Sequence, residues 1–136
     1  MRTEALSLAP CNPETGPATA LCLDLGGNDQ TYAPKLTFNA NVSYAIPVGG
    51  NLTLTPRVNY GHVGAQWATL FQNRARGDRI PARNIVNAQL ELDAGDFTVT
   101  AYATNLTNQH YPAALNSGLY FAGPPRQYGI KVLKAF

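Results

Sequence analysis

The chain has 136 residues, room for one domain of ordinary size, with 45% hydrophobic and only 13% charged residues. That charged share is about half the roughly 25% usual in soluble domains, and a net charge of +2 gives no compositional case for nucleic acid as a partner. No run approaches the roughly 18 consecutive apolar residues of a membrane helix, and no apolar stretch follows Met1-Arg2-Thr3-Glu4 to make a signal peptide.

Residues 1–34 are rich in Pro, Gly, Asn and Thr, hold no period, and read as a long loop. Cys11 and Cys22 lie within it. They are expected to close a small loop disulfide on the cell-surface side, which implies an oxidising compartment; two free loop thiols are the alternative. At Lys35 the pattern changes. Leu36, Phe38, Ala40, Val42, Tyr44 and Ile46 alternate with Lys35, Thr37, Asn39, Asn41 and Ser43, which predicts a strand over about 35–46. Pro47-Val48-Gly49-Gly50 reads as a short turn.

A second strand is predicted over about 51–62, with Leu52, Leu54, Pro56, Val58 and Tyr60 on one face and Asn51, Thr53, Thr55, Arg57 and Asn59 on the other. Pro56 cannot donate to a ladder, so a bulge or local break is expected beside it. The stretch to about Ala82 is irregular and polar. It carries Trp67 and Phe71 with a cluster of Arg74, Arg76 and Arg79, which is either a solvated loop or a contact for an anionic ligand.

A third strand at 83–92 sets Val86, Ala88, Leu90 and Leu92 against Asn87, Gln89 and Glu91. After the tight turn Asp93-Ala94-Gly95-Asp96, a fourth at 97–104 sets Phe97, Val99, Ala101 and Ala103 against Thr98, Thr100, Tyr102 and Thr104. Residues 105–124 read as a second long loop. The last strand, 125–136, alternates Tyr128, Ile130, Val132, Lys134 and Phe136, an apolar row with an aromatic at each end and one lysine near its terminus.

These features predict an all-β fold, an antiparallel meander of about five long strands. The connections run long, short, long, short, long. Transmembrane β-barrels sort theirs in this way, with short periplasmic turns and long extracellular loops. A twelve-residue strand at about 3.3 Å per residue, tilted about 45°, covers roughly 28 Å, close to a bilayer's apolar thickness. Leu36, Phe38, Val42, Tyr44, Leu52, Leu54, Val58, Tyr60, Phe97, Val99, Tyr128, Ile130, Val132 and Phe136 are the expected lipid-facing residues, with aromatics forming two girdles. Lys134 sits close enough to the interface to snorkel. Five strands fall short of the eight in the smallest single-chain barrel. The chain is therefore expected to be a piece of a longer protein whose further strands close the barrel. A soluble secreted β-sandwich or adhesin-like binding module is the competing reading, since alternation suits both.

No catalytic or metal-ligating constellation stands out. His62 and His110 are isolated, and no Gly-rich phosphate loop or nucleophile elbow is present. The expectation is a protein that is not an enzyme and carries no cofactor.

Four segments, in order, resemble the C-terminal part of TonB-dependent outer-membrane receptors. They are Ala33-Pro34-Lys35 leading into the strand that ends at Tyr44; Leu52 to Tyr60 with its proline; Asn105-Leu106-Thr107-Asn108 with Tyr111; and Pro124-Pro125-Arg126-Gln127-Tyr128-Gly129 running on to Phe136. The resemblance covers about 33–136. It implies a bacterial outer-membrane location and a receptor that imports a scarce ligand of the siderophore, cobalamin or oligosaccharide class. Residues 1–34 would be an extracellular loop region and 35–136 the C-terminal barrel strands. Implied partners are outer-membrane lipid, upstream barrel strands and a plug domain, with the TonB complex reached only through a missing N-terminal part. Tyr128, Ile130, Val132 and Phe136 would form the C-terminal signal read by the barrel assembly machinery. Lys134 departs from the family, which usually has an aromatic there.

Overall fold

The computed structural model describes residues 25–116 and 118–135. Cys11, Cys22 and Phe136, with the roles expected of them, lie outside the described residues. The strands are β1 (Thr37–Ser43), β2 (Ile46–Gly49), β3 (Leu52–Val63), β4 (Gln66–Trp67), β5 (Arg79–Ile80), β6 (Arg83–Asp93), β7 (Phe97–Thr104), β8 (Pro112–Asn116), β9 (Leu119–Ala122) and β10 (Gln127–Lys134). One antiparallel meander contains the long strands in the order β1-β3-β6-β7-β10, with β2 also pairing with β3. Two small hairpins, β4-β5 and β8-β9, stand apart from it.

The register turns the sequence alternation into two continuous faces, because directly opposed residues of an antiparallel pair share a side. Val42 opposes Val58, Val58 opposes Ala88, Ala88 opposes Ala103 and Ala103 opposes Tyr128. One step along, Pro56, Leu90, Ala101 and Ile130 line up, and then Leu54, Leu92, Val99 and Val132. The opposite face is built mainly from Asn41, Asn59, Arg57, Gln89, Glu91, Thr100 and Lys131. A one-residue slip anywhere would exchange the two faces.

The sheet is a single layer. Ile130 is 75% exposed and Val42 71%. Among the described residues the buried hydrophobics are Ile80 and Leu115, both in the connecting segments rather than in the sheet. No second layer of described residues covers the apolar rows.

The break expected beside Pro56 occurs in the neighbouring strand. Pairing with β1 stops at Ser43–Arg57, pairing with β2 starts at Ile46–Leu54, and Tyr44 and Ala45 fall between. The Tyr44 N–H still donates to the Pro56 carbonyl at 3.2 Å. A residue's N–H and C=O point to the same neighbour in an antiparallel strand, so Pro56 lacks a donor on this side and the ladder parts there. The expected single strand 35–46 is therefore two, and residues 47–49 belong to β2 rather than to a turn. Leu36 and Tyr44, expected on the apolar row, lie just outside β1.

The strand ends sort cleanly. The Asp93–Phe97 turn is tight: the Asp93 carboxylate accepts from Gly95 N at 2.9 Å, and Gly95 takes the left-handed φ of 79° that a glycine tolerates. At the opposite end lie the long connections 64–82 and 105–126 together with residues 25–36.

Candidate functional site

The loop end is a folded cap. Its order comes from polar side chains that satisfy backbone groups, which loops otherwise leave to water. Asp78, only 8% exposed, accepts from the Thr69 hydroxyl at 2.6 Å and from Asn73 N at 3.0 Å. The Asn73 side chain accepts from Ala75 N and Arg76 N at 3.0 and 3.2 Å, starting the 3-10 turn Arg74–Arg76. Beneath it, Ile80 on β5 is completely buried.

Long-range bonds tie this loop to the others. The Tyr32 hydroxyl donates to the Leu115 carbonyl and accepts from Leu115 N, while Tyr32 N donates to the Trp67 carbonyl at 2.7 Å. The Tyr120 hydroxyl donates to the Gly77 carbonyl at 2.6 Å, and Gln72 donates to the Asp29 carbonyl at 3.2 Å. Three loops thus hold one another.

The second anchor is Asn105, 3% exposed and in the left-handed region at φ 48°. Its amide donates to the carbonyls of Gln109 and Pro124 at 2.9 and 3.1 Å, and its oxygen accepts from Gln109 N at 2.9 Å. Asn108 accepts from Arg126 N at 3.3 Å. The Asn105-Leu106-Thr107-Asn108 segment therefore fastens the end of β7 to the approach of β10. Asparagine suits that backbone better than most residues, because its short amide bonds locally in the left-handed region.

Between the loops opens a cavity of about 490 Å³, bordered by Asp29, Lys35, Leu36, Gly64, Gln66, Trp67, Gln72, Arg74 and Arg79. The Arg74 guanidinium lies 5.9 Å from the Trp67 ring centroid, within cation–π range. Trp67 and Arg79 face each other across the β4–β5 pair. Asp29 forms a 3.5 Å ion pair with Lys35, whose side chain is 82% exposed, so the pair adds little stability. The cavity wall carries three cationic side chains and one carboxylate, a balance that favours an anionic or flat aromatic guest.

Three of the four residues singled out in the sequence for a ligand loop, Trp67, Arg74 and Arg79, meet at this cavity, and Arg76 does not line it. Leu36 borders it instead of belonging to the apolar rows. Lys35, Asp29 and Gln72 were not foreseen, because only the folded loops bring them there. Among the described residues no cluster of three or more metal-ligating side chains exists, and no helix is long and apolar enough to cross a membrane.

A second feature recurs on the polar side. The Tyr102 ring occupies the space where a Cβ on Gly129 would sit, its direct partner across the β7–β10 pair. Tyr111 covers Gly123 in the same way, and Arg83 lies over the Tyr111 ring at 5.4 Å.

Scanned against protein-family models, the chain matches none. Among solved structures it is similar to BauA, the ferric preacinetobactin receptor from Acinetobacter baumannii, with 25% identity and a TM-score of 0.63 over 79% of this chain. The similar region spans only 16% of that receptor's length.

Proposed function

We propose that this chain forms part of the wall and outer loops of a β-barrel receptor that takes up a ferric siderophore across a bacterial outer membrane. One observation carries the reading. The apolar residues of five paired strands merge into one uncovered face, while every long connection gathers at a single end of the sheet. Apolar residues left bare on this scale mark a surface that meets another apolar phase. A bilayer covers such a face without a second protein layer, whereas the soluble sandwich needs an opposing sheet. The similarity to a ferric siderophore receptor supports the ligand class.

In this reading the apolar rows face lipid, Phe38, Tyr60 and Tyr128 stand at the outer interface, and the cavity at Trp67 opens to the cell exterior. The two open sheet edges pair with further barrel strands, because unpaired backbone groups in lipid cost several kcal/mol each. Arg57, Gln89 and Glu91 line the lumen against a plug domain, through which the TonB complex would act, and the barrel assembly machinery inserts the sheet. The protein performs binding and transport, not catalysis.

Trp67 is the only tryptophan of the chain, so its fluorescence reports the cavity directly. Protein purified from outer membranes should show saturable quenching with ferric preacinetobactin, weakened in Arg74→Ala and Arg79→Ala. It should also shift on a gel when heated. Absence of quenching would defeat the siderophore assignment, and recovery from the soluble fraction would defeat the membrane assignment.

A further inference from the structure

On the polar face of the sheet, asparagines form one hydrogen-bonded chain from the end of β7 to β1. Asn105 N donates to Asn87 Oδ1 at 3.0 Å, Asn87 Nδ2 to Asn59 Oδ1 at 3.5 Å, and Asn59 Nδ2 to Asn39 Oδ1 at 2.9 Å. Asn59 and Asn87 are direct partners across the β3–β6 pair. Asn39 stands opposite Gly61, whose lack of a side chain leaves room for Asn59 to reach it along the diagonal.

The chain points one way, and backbone groups fix its direction. Asn105 N can only donate, so the Asn87 oxygen must face it and the Asn87 amide nitrogen must face Asn59. Asn59 Nδ2 also donates to the Ala40 carbonyl at 3.3 Å, and a carbonyl can only accept. Every amide therefore accepts from the β7 side and donates towards β1, and such aligned bonds polarise one another. At Asn39 the oxygen is in use, while Nδ2 has no acceptor among the described residues. β1 is an edge of the sheet. Its surroundings are short of negative charge. On the polar face Val63 opposes Arg83 and Ser43 opposes Arg57, in rows on either side of Asn39. No carboxylate lies in the rows that start at Thr37, Asn39, Asn41 and Ser43. Arg83 Nη1 is buried without a partner among the described residues.

We propose that the strand pairing with the open edge of β1 carries an aspartate or glutamate on the polar face opposite Asn39, and that its carboxylate accepts from Asn39 Nδ2. Side chains of directly opposed residues stand about 5 Å apart, within reach of such a bond. A neutral oxygen would also end the chain. A carboxylate makes a bond about twice as strong and offsets the guanidiniums of the neighbouring rows. The occupant is a further strand of the same protein. That rests on the reading above, in which the sheet continues past its edges, but not on the membrane, since a sandwich would continue in the same way.

The test uses the full-length protein. Asn39→Cys is combined with single cysteines along the neighbouring strand, in a background carrying Cys11→Ser and Cys22→Ser, and the strongest cross-link identifies the facing residue. That residue should be an acid. Asn39→Asp turns the donor into an oxygen facing a carboxylate, and should lower the melting temperature followed by circular dichroism by a few degrees. Asn41→Asp, on the same face but outside the chain, should cost clearly less. Replacing the facing acid by its amide should restore the melting temperature of Asn39→Asp. Any residue other than aspartate or glutamate at the cross-linked position would overturn the proposal, even if Asn39→Asp does not fold. So would a cross-link between two copies, or a folded Asn39→Asp that the amide fails to rescue. Those outcomes leave the membrane reading standing, and recovery from the soluble fraction would remove that reading while leaving this one.

Discussion

The sheet and the cap solve the same problem in opposite ways. The sheet buries almost no side chains, and its order comes from ladder hydrogen bonds and from whatever phase wets its apolar rows. The cap is short of regular structure, yet it holds the buried residues Ile80, Leu115, Gln66, Asp78 and Asn105. Polar side chains there replace the ladder: Asp78, Asn73 and Asn105 satisfy backbone groups of their own loops, and Tyr32, Gln72 and Tyr120 reach backbone groups of another. Order in this molecule thus has two sources: buried side chains and side-chain hydrogen bonds in the cap, ladder hydrogen bonds in the sheet.

Substitutions can break that contrast. The largest effect is expected from Ile80→Ala, which empties the buried centre of the cap and should cost about 2–5 kcal/mol. Hydrogen exchange should accelerate across 66–80 and near Leu115 while β6, β7 and β10 keep their protection. Equal loss in the sheet would mean that cap and sheet fold as one unit.

Leu90→Arg puts a charge in the middle of the apolar face and should cost about 2–4 kcal/mol if that face meets lipid. Gln89→Arg, one residue along and on the polar face, should cost far less. Urea unfolding in lipid vesicles measures both, and similar losses would erase the distinction between the faces. Asp78→Ala should follow at about 1–3 kcal/mol, because it leaves Thr69 Oγ1 and Asn73 N without their acceptor. The loss should appear as faster exchange at Asn73 and a weaker response of Trp67 to ligand.

The smallest effect belongs to Arg74→Ala. It removes a cation–π contact worth about 0.5–1 kcal/mol at an exposed site, so thermal stability should barely move while ligand quenching of Trp67 falls. A large drop in stability would make Arg74 a structural residue of the cap.

The sequence disclosed the two regions unequally. Strand β7 was expected at 97–104 and is found at Phe97–Thr104, because a period of two is written in consecutive residues and survives without knowledge of partners. Even the break at Pro56 was foreseeable in kind, although not that the neighbouring strand would part instead. The cap was not legible. Its strands run only two to five residues, too short for a period to emerge. Its ties join positions far apart, such as Tyr32 with Leu115 and Tyr120 with Gly77. Asp78 and Asn105 read in sequence as ordinary loop polars, and only their partners make them buried anchors. Arg76 misled for a local reason: at 3.0 residues per turn, residues two apart do not share a direction.

The Tyr102–Gly129 contact bears on how the last strand finds its place. A strand added to a sheet edge can slip by two residues without exposing the wrong face, since alternation is restored at every second step. Polar-side residues two away from Gly129 are Gln127 and Lys131, and the Cβ of either would have to push the Tyr102 ring off its place over the strand. The ring lies flat only over the glycine of β10, so it favours one register among the even-numbered slips that hydrophobic pattern leaves undetected, at the cost of swinging Tyr102 aside in any other.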